Sequence, residues 1–158
     1  MDLFQDRTLL ATCPKGMGPV LAREISSMGL PVSEELSFGV RTRGNLDVAM
    51  RMNIALKTAH RVHLLLASFQ ANGPDELYKQ ASQMKWETLI DPYGYVSIHS
   101  HIYGDMVRDS RFANVRLKDA VADRMRQKTG ARPNSGPDKS KTVLYLHWSE
   151  NRCQIWLD

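Results

Sequence analysis

Long apolar runs are missing from this chain of 158 residues, where no stretch of consecutive hydrophobic residues exceeds four, at Leu64 to Ala67 and Val143 to Leu146. A bilayer-spanning helix needs about 20, so no membrane partner is expected. Asp2, Asp6, Arg7 and Lys15 break up the first thirty residues, which leaves no secretory hydrophobic core and points to a cytosolic address. Cysteine is scarce too. Cys13 and Cys153 stand 140 positions apart, matching neither a disulfide framework nor a close-spaced zinc motif, and both read as buried thiols. No Ser, Cys or Lys nucleophile occupies a recognisable catalytic motif. Enzymatic activity from this chain alone is therefore not expected.

What is present is an ordinary globular composition, 42% hydrophobic and 24% charged. At this length roughly 68 to 70% of the unfolded surface can be buried, enough for one core or two small ones. The net charge is +4, and its distribution is more informative than its size. Between Gly104 and Lys141 ten basic residues (Arg108, Arg111, Arg116, Lys118, Arg124, Arg126, Lys128, Arg132, Lys139 and Lys141) face five acids, while the rest of the chain is close to neutral. A basic segment on a neutral body is the footprint of a polyanion-binding protein. The competing reading is a solvated helix with its own ion pairs, since Arg116 and Asp119, and Asp123 and Arg126, stand three apart.

The order of local signals divides the chain in two. Thr8 to Cys13 is strand-like, and Lys15, Gly16, Gly18 and Pro19 punctuate the entry to a helix bearing Val20, Leu21, Ile25 and Met28. Two short strands, Val32 to Phe38 and Val40 to Arg43, precede a Gly44-Asn45 turn. Leu46, Ala49, Met50, Asn53 and Leu56 recur at helical spacing, and Arg61 to Phe69 is again extended. The order β-α-β-β-α-β over residues 1–70 is that of a ferredoxin-like unit. Asn72-Gly73-Pro74 with Asp75 and Glu76 restarts the chain as a helix carrying Leu77, Tyr78, Ala81 and Met84. Trp86 to Ile90 reads as a second short helix, Asp91-Pro92-Tyr93-Gly94 as a turn and Tyr95 to Ile102 as a strand. Leu117, Ala120, Val121 and Met125 line a helix ended by Gly130 and Pro133, with Arg124 in the stripe needing a partner or a route to solvent. A polar loop, Ala131 to Ser140, leads to a hairpin of Thr142 to Trp148 and Arg152 to Leu157. The second unit, residues 71–158, is thus α-α-β-α-β-β, and the fold class is α+β. Asp158 follows strand residues with no closing turn, so a continuation is expected, either removed from this chain or carried by another one.

Several motifs fall short of chemistry. Lys15-Gly16-Met17-Gly18 lacks the third glycine of a dinucleotide site and the Lys-Ser/Thr pair of a P-loop, which leaves a tight turn. Asp91-Pro92-Tyr93 lacks the second proline of the Asx-Pro-Pro-aromatic motif of amino methyltransferases. His99 and His101 share a strand face without a third ligand of suitable spacing, and His60 and His63 read as a solvated strand edge.

Three stretches carry a resemblance: Asn114-Val115-Arg116-Leu117-Lys118-Asp119-Ala120-Val121-Ala122-Asp123, then Gly130-Ala131-Arg132-Pro133-Asn134, then the strand pair ending Ile155-Trp156-Leu157-Asp158. They resemble a THUMP domain. Ala11-Thr12-Cys13-Pro14-Lys15-Gly16, Gly39-Val40, Arg61-Val62 and Glu76-Leu77-Tyr78 through Trp86 extend the likeness over the whole chain. It is similar to the amino-terminal part of THUMP-containing ribosomal RNA N2-guanine methyltransferases of the large-subunit type, often labelled adenine-specific methylases. The resemblance implies an RNA-binding module followed in cis by a Rossmann-type methyltransferase domain. That domain would hold S-adenosylmethionine, with no cofactor in this chain. The implied partner is structured RNA, 23S ribosomal RNA first and transfer RNA second, positioned for guanine N2-methylation. Arg116 and Lys118 match the basic positions of the helix motif, and Arg132 and Asn134 match the loop after it. Arg124 departs from the small residue expected there. With Arg108, Arg111, Lys139 and Lys141 from the charge distribution, these make the expected RNA-binding set. The rival readings are a small metal-dependent enzyme using His99 and His101, and a basic module docking an acidic protein.

Overall fold

Leu9, Ala11 and Cys13 are buried at every second position, the period of a strand with one covered face. They belong to or border β1, Arg7–Thr12, in the computed structural model, which describes residues 1–103 and 110–158. The chain separates into two compact units, Asp2–Leu66 with Asp158, and Ala67–Leu157 with Met1.

In the first unit β1 is followed by α1 (Gly18–Ser27), β2 (Val32–Leu36), β3 (Gly39–Gly44), α2 (Leu46–Ala55) and β4, which starts at Arg61 and runs to Gln70. The strands are antiparallel in the order β2-β3-β1-β4, the β-α-β-β-α-β arrangement read from the chain. Register places Ala11 opposite both Val40 and Val62, and Leu9 opposite both Thr42 and Leu64, so these side chains share one face. Leu21, Ile25, Ala49 and Met52 of the helices are buried with them. Gly39 is required for closeness, because a Cβ there would strike the Ala11 carbonyl. At the α2 start, the Asn45 side chain accepts from the Val48 N–H at 3.1 Å, capping the helix.

The expectation for His63 is corrected. His63 lies opposite Leu10 of β1 and is 8% exposed, with its Nδ1 3.3 Å from the Asp158 carboxylate. Pairing along β4 and the cover of Asp158 and Arg61 remove it from solvent; His60, before the strand, is exposed.

The second unit contains α3 (Pro74–Ser82), a single 3₁₀ turn (Trp86–Thr88), β5 (Tyr95–Tyr103), α4 (Ser110–Thr129), β6 (Asn134–Ser135), β7 (Thr142–Ser149) and β8 (Arg152–Leu157). Trp86 to Ile90 thus shortens from a helix to one turn, since Pro92 disfavours helical backbone at Asp91. The strand order is β8-β7-β5-β6. β7 and β8 form the antiparallel hairpin, whereas β5 pairs in parallel with both β7 and β6. The two-residue β6 inside the Ala131 to Ser140 loop is an addition to the sequence reading. Leu117, Ala120, Val121 and Met125 of α4 are fully buried as the stripe requires, with Leu77, Ala81, Trp86, Val96, Leu144, Leu146, Trp148 and Ile155. The Trp86 indole donates to the Ala81 carbonyl at 2.8 Å, fastening the 3₁₀ turn to α3. Cys13 and Cys153 are both buried free thiols, and burial pushes the Cys153 thiol up to about 12.

Candidate functional site

α4 has two polar sides. At 3.6 residues per turn, positions 111, 114, 115 and 118 run along one face, and 116, 119, 123 and 126 along another.

The second face is committed to α3. Arg116 donates to Asp75 at 2.6 Å and its guanidinium lies 4.5 Å from the Tyr78 ring centroid. Tyr78 donates to Asp123 at 2.8 Å, which pushes the Tyr78 pKa up, and Arg126 lies 3.3 Å from the other Asp123 oxygen. The expected Asp123 and Arg126 pair is therefore present. The expected Arg116 and Asp119 pair is not, and this is a correction: Arg116 lies across Tyr78 and reaches Asp75, while Asp119 stands 3.5 Å from Lys118. Arg124 finds its partner in Glu87, with hydrogen bonds of 3.0 and 2.6 Å. Those bonds hold the Glu87 carboxyl at about 2, well below its ordinary range.

The first face borders a cleft of about 420 Å³. Val96, Ile98 and His99 of β5 line one side, Asn114, Val115 and Lys118 of α4 another, and Ser135, Gly136 and Pro137 close the third. The closing segment is held by short-range geometry. Asn134 and Ser135 pair with Tyr95 and Val96, and Thr142 pairs with Val96 from the other side. The two ends of the segment therefore flank β5 about 10 Å apart, two strand spacings. A side chain at Gly136 would collide with the Tyr95 hydroxyl, which accepts the Asp138 N–H at 3.2 Å. Asp138 in turn accepts from the Ser140 N–H and hydroxyl at 2.9 Å each, and these bonds lower its pKa.

Of the expected RNA-binding residues, Lys118 lines the cleft, Asn134 lies in β6, and Arg132, Lys139 and Lys141 are exposed on the segment that closes it. Arg111 is exposed on α4, on the same face as Lys118. Arg116 is turned to α3, and Arg108 lies outside the described residues. Sequence reasoning missed Asn114, a residue of the cleft wall whose buried Oδ1 has no hydrogen-bond partner among the described residues. The signal in the sequence was its spacing, four residues before Lys118 and so on the same helix face. It also missed Asp75 and Glu87, which lie on elements distant in sequence from the arginines they hold.

The other motifs settle into local roles. His99 Nε2 is 2.9 Å from the Ser97 hydroxyl and its ring packs against Tyr145 at 5.4 Å, while His101 packs against Tyr103 at 4.5 Å. Among the described residues no group of three or more His, Cys, Asp or Glu converges as metal ligands would. Asp91 accepts the Tyr93 N–H at 2.8 Å in a turn closed by Gly94. Gly16 takes a positive φ of 88° in the tight turn before α1.

Comparison with known proteins matches residues 8–63 to the RlmL ferredoxin-like domain and residues 71–158 to the THUMP domain. The chain is 32% identical over 148 residues to the ribosomal RNA large subunit methyltransferase K/L of Syntrophotalea carbinolica, covering 94% of this chain and 21% of the relative. The Pseudomonas aeruginosa protein of the same name is 29% identical over 150 residues, again with 21% of its length covered. The chain thus spans about a fifth of these relatives. Among solved structures, that of a predicted N6-adenine-specific DNA methylase from Listeria monocytogenes superposes with a TM-score of 0.85 at 19% identity. It covers 98% of this chain and 40% of that one, a likeness of fold.

Proposed function

The chain belongs to the THUMP domain family, with an RlmL-type ferredoxin-like domain ahead of the THUMP part, and from that premise we propose that it is an RNA-binding module. It positions structured ribosomal RNA, in the first place 23S, for guanine N2-methylation by a catalytic domain outside these 158 residues. The first domain is taken as residues 1–70 and the THUMP domain as 71–158. S-adenosylmethionine supplies the methyl group in that further domain, and this chain's part is to bind and orient the RNA. The relatives' name supplies the RNA and reaction class, and their extra length supplies room for the chemistry.

The observation that supports the reading is Lys118 at the cleft, with Arg132, Lys139 and Lys141 exposed on the segment whose Ser135, Gly136 and Pro137 line it. Lys118 from α4 and Arg132, Lys139 and Lys141 from the segment anchored on Tyr95 and Val96 come from separate stretches of chain. Arg111 adds to the α4 side, and Asn134 offers a neutral hydrogen-bonding group. Cations of this kind contact phosphates and fix register, while RNA shape and unstacked nucleotides carry specificity. Arg116, by contrast, fixes α4 on α3. Tethering such a module to a catalytic domain raises the local concentration of RNA at the active site without adding chemistry.

The test uses a longer chain that includes the downstream domain. Deleting residues 71–158 from it should reduce methylation of a 23S fragment and RNA affinity far more than S-adenosylmethionine affinity. Equal losses in both would contradict a recognition role.

A further inference from the structure

We propose that the open face of the β5, β7 and β8 sheet is a stacking surface for an unstacked nucleobase of single-stranded RNA, with the Tyr103 ring as its platform. The inference rests on the RNA-binding reading and adds to it a contact made to bases, where the cations contact phosphates.

Successive side chains of a strand point to opposite faces. In β7, Leu144, Leu146 and Trp148 go into the core with the α4 stripe, so Tyr145 and His147 face the other way. Register then places His99 beside Tyr145 and builds two further rows on that face: His101, His147 and Gln154, then Tyr103, Ser149 and Arg152. At the Tyr95 end the face is covered. The Asp138 N–H donates to the Tyr95 hydroxyl there, and Ser97 and Val143 are buried. At the far end it is open, with His101 exposed and Tyr103 55% exposed.

The Tyr103 ring is braced by its neighbours. Its centroid is 4.5 Å from that of His101 and 5.7 Å from that of His147, at interplanar angles of 52° and 59°, tilted contacts of the kind aromatic rings prefer. A ring held in one orientation with half its surface in water suits an unstacked base, since single strands are commonly recognised by stacking on Tyr and His. Charge points the same way. Neither outer row carries a carboxylate, Arg152 is exposed in the Tyr103 row, and Lys139 follows the Asp138 anchor at the covered end. The acid nearest in sequence, Glu150, sits in the turn beyond Ser149. A polyanion can therefore run from Lys139 along the roughly 25 Å of β5 between Tyr95 and Tyr103, with cations at both ends and rings between.

The experiment measures binding of the 158-residue chain to a labelled single-stranded oligoadenylate, and to the same ribose-phosphate strand without bases, by fluorescence anisotropy at several salt concentrations. The base-bearing strand should bind at least about 5-fold tighter. Tyr103→Ala should remove most of that difference and leave the slope of log affinity against log salt unchanged, because no phosphate contact is lost. Tyr103→Phe, which keeps the ring, should bind like the parent. Amide NMR of the parent should show shifts at His101, Tyr103 and His147 with the base-bearing strand and not with the abasic one. Equal affinity for both strands, a Tyr103→Ala chain that binds like the parent, or a Tyr103→Phe chain as weak as Tyr103→Ala overturns the proposal and leaves the phosphate contacts standing. Shifts confined to Lys118, Arg132 and Lys139 would leave this face to a protein partner and overturn it as well. No salt-dependent binding of either strand overturns the RNA-binding reading itself.

Discussion

Replacing Arg116 by Ala should cost stability and leave RNA binding intact, because this arginine is built into the α3 and α4 contact. Its side chain is 26% exposed, 2.6 Å from Asp75 and 4.5 Å from the Tyr78 ring centroid. A cation over an aromatic ring at such a site contributes about 0.5–1 kcal/mol. The Asp75 side chain is 95% exposed, so the ion pair adds at most about 1 kcal/mol. Together the loss is about 0.5–2 kcal/mol, and at about 2–4 °C per kcal/mol for a chain of this size the melting temperature should fall by roughly 1–8 °C. Arg116→Lys should recover part of it, since an ammonium keeps the charge but not the planar stacking. Thermal melts by circular dichroism, run beside fluorescence anisotropy on a structured ribosomal RNA fragment, separate the two effects. An Arg116→Ala protein that melts like the unmodified chain, yet loses RNA affinity with a salt slope flatter by about 0.7, would refute the reasoning.

Two pH effects follow from buried or hydrogen-bonded groups. Glu87 is held at about 2 against an ordinary 4.5 by hydrogen bonds from Arg124, so the unfolded chain takes up its proton first. Its stabilisation is complete above pH 4.5 and fades as pH falls toward about 2; Glu87→Gln should flatten melting temperature against pH over that window, and an unchanged acid limb would count against the pair. His63 has its pKa lowered chiefly by burial, with Arg61 adding to the effect and Asp158 opposing it. Here too the unfolded chain protonates first, so stability should decline as pH drops below about 6.5. His63→Gln should remove that part of the decline, and a variant with the same slope would refute it.

The extent to which the sequence foretold all this depends on the range of the interactions. Elements whose signal is local were legible: the alternation of Leu9, Ala11 and Cys13, the helical stripe of Leu117, Ala120, Val121 and Met125, and the turn at Gly16. The stretch from Trp86 to Ile90 has helical composition, but Pro92 and the fastening of the indole to Ala81 limit it to one turn. Ion pairs were legible only where both members share a helix turn, as Asp123 and Arg126 do. Arg116 and Arg124 bind acids on other elements, 41 and 37 residues away, and no spacing rule reaches that far. His63 misled for the same reason, since its cover comes from a residue at the far end of the chain. The charge distribution located the basic segment, but only the pairing of Asn134 and Thr142 about Tyr95 and Val96 reveals how its loop closes on Lys118.

The central claim is that the cations beside the cleft contact RNA phosphates, and its most direct measurement is RNA affinity as a function of salt. If three or four of Arg111, Lys118, Arg132, Lys139 and Lys141 touch phosphate together, each contributes about −0.7 to the slope of log affinity against log salt on single-stranded regions. Anisotropy on a structured 23S fragment should then give a slope of roughly −2 to −3, and Lys118→Ala with Arg132→Ala should flatten it by about 1–1.5 at unchanged melting temperature. A slope near zero for the unmodified chain, or a double variant that binds RNA as tightly as its parent at every salt concentration, would contradict the account.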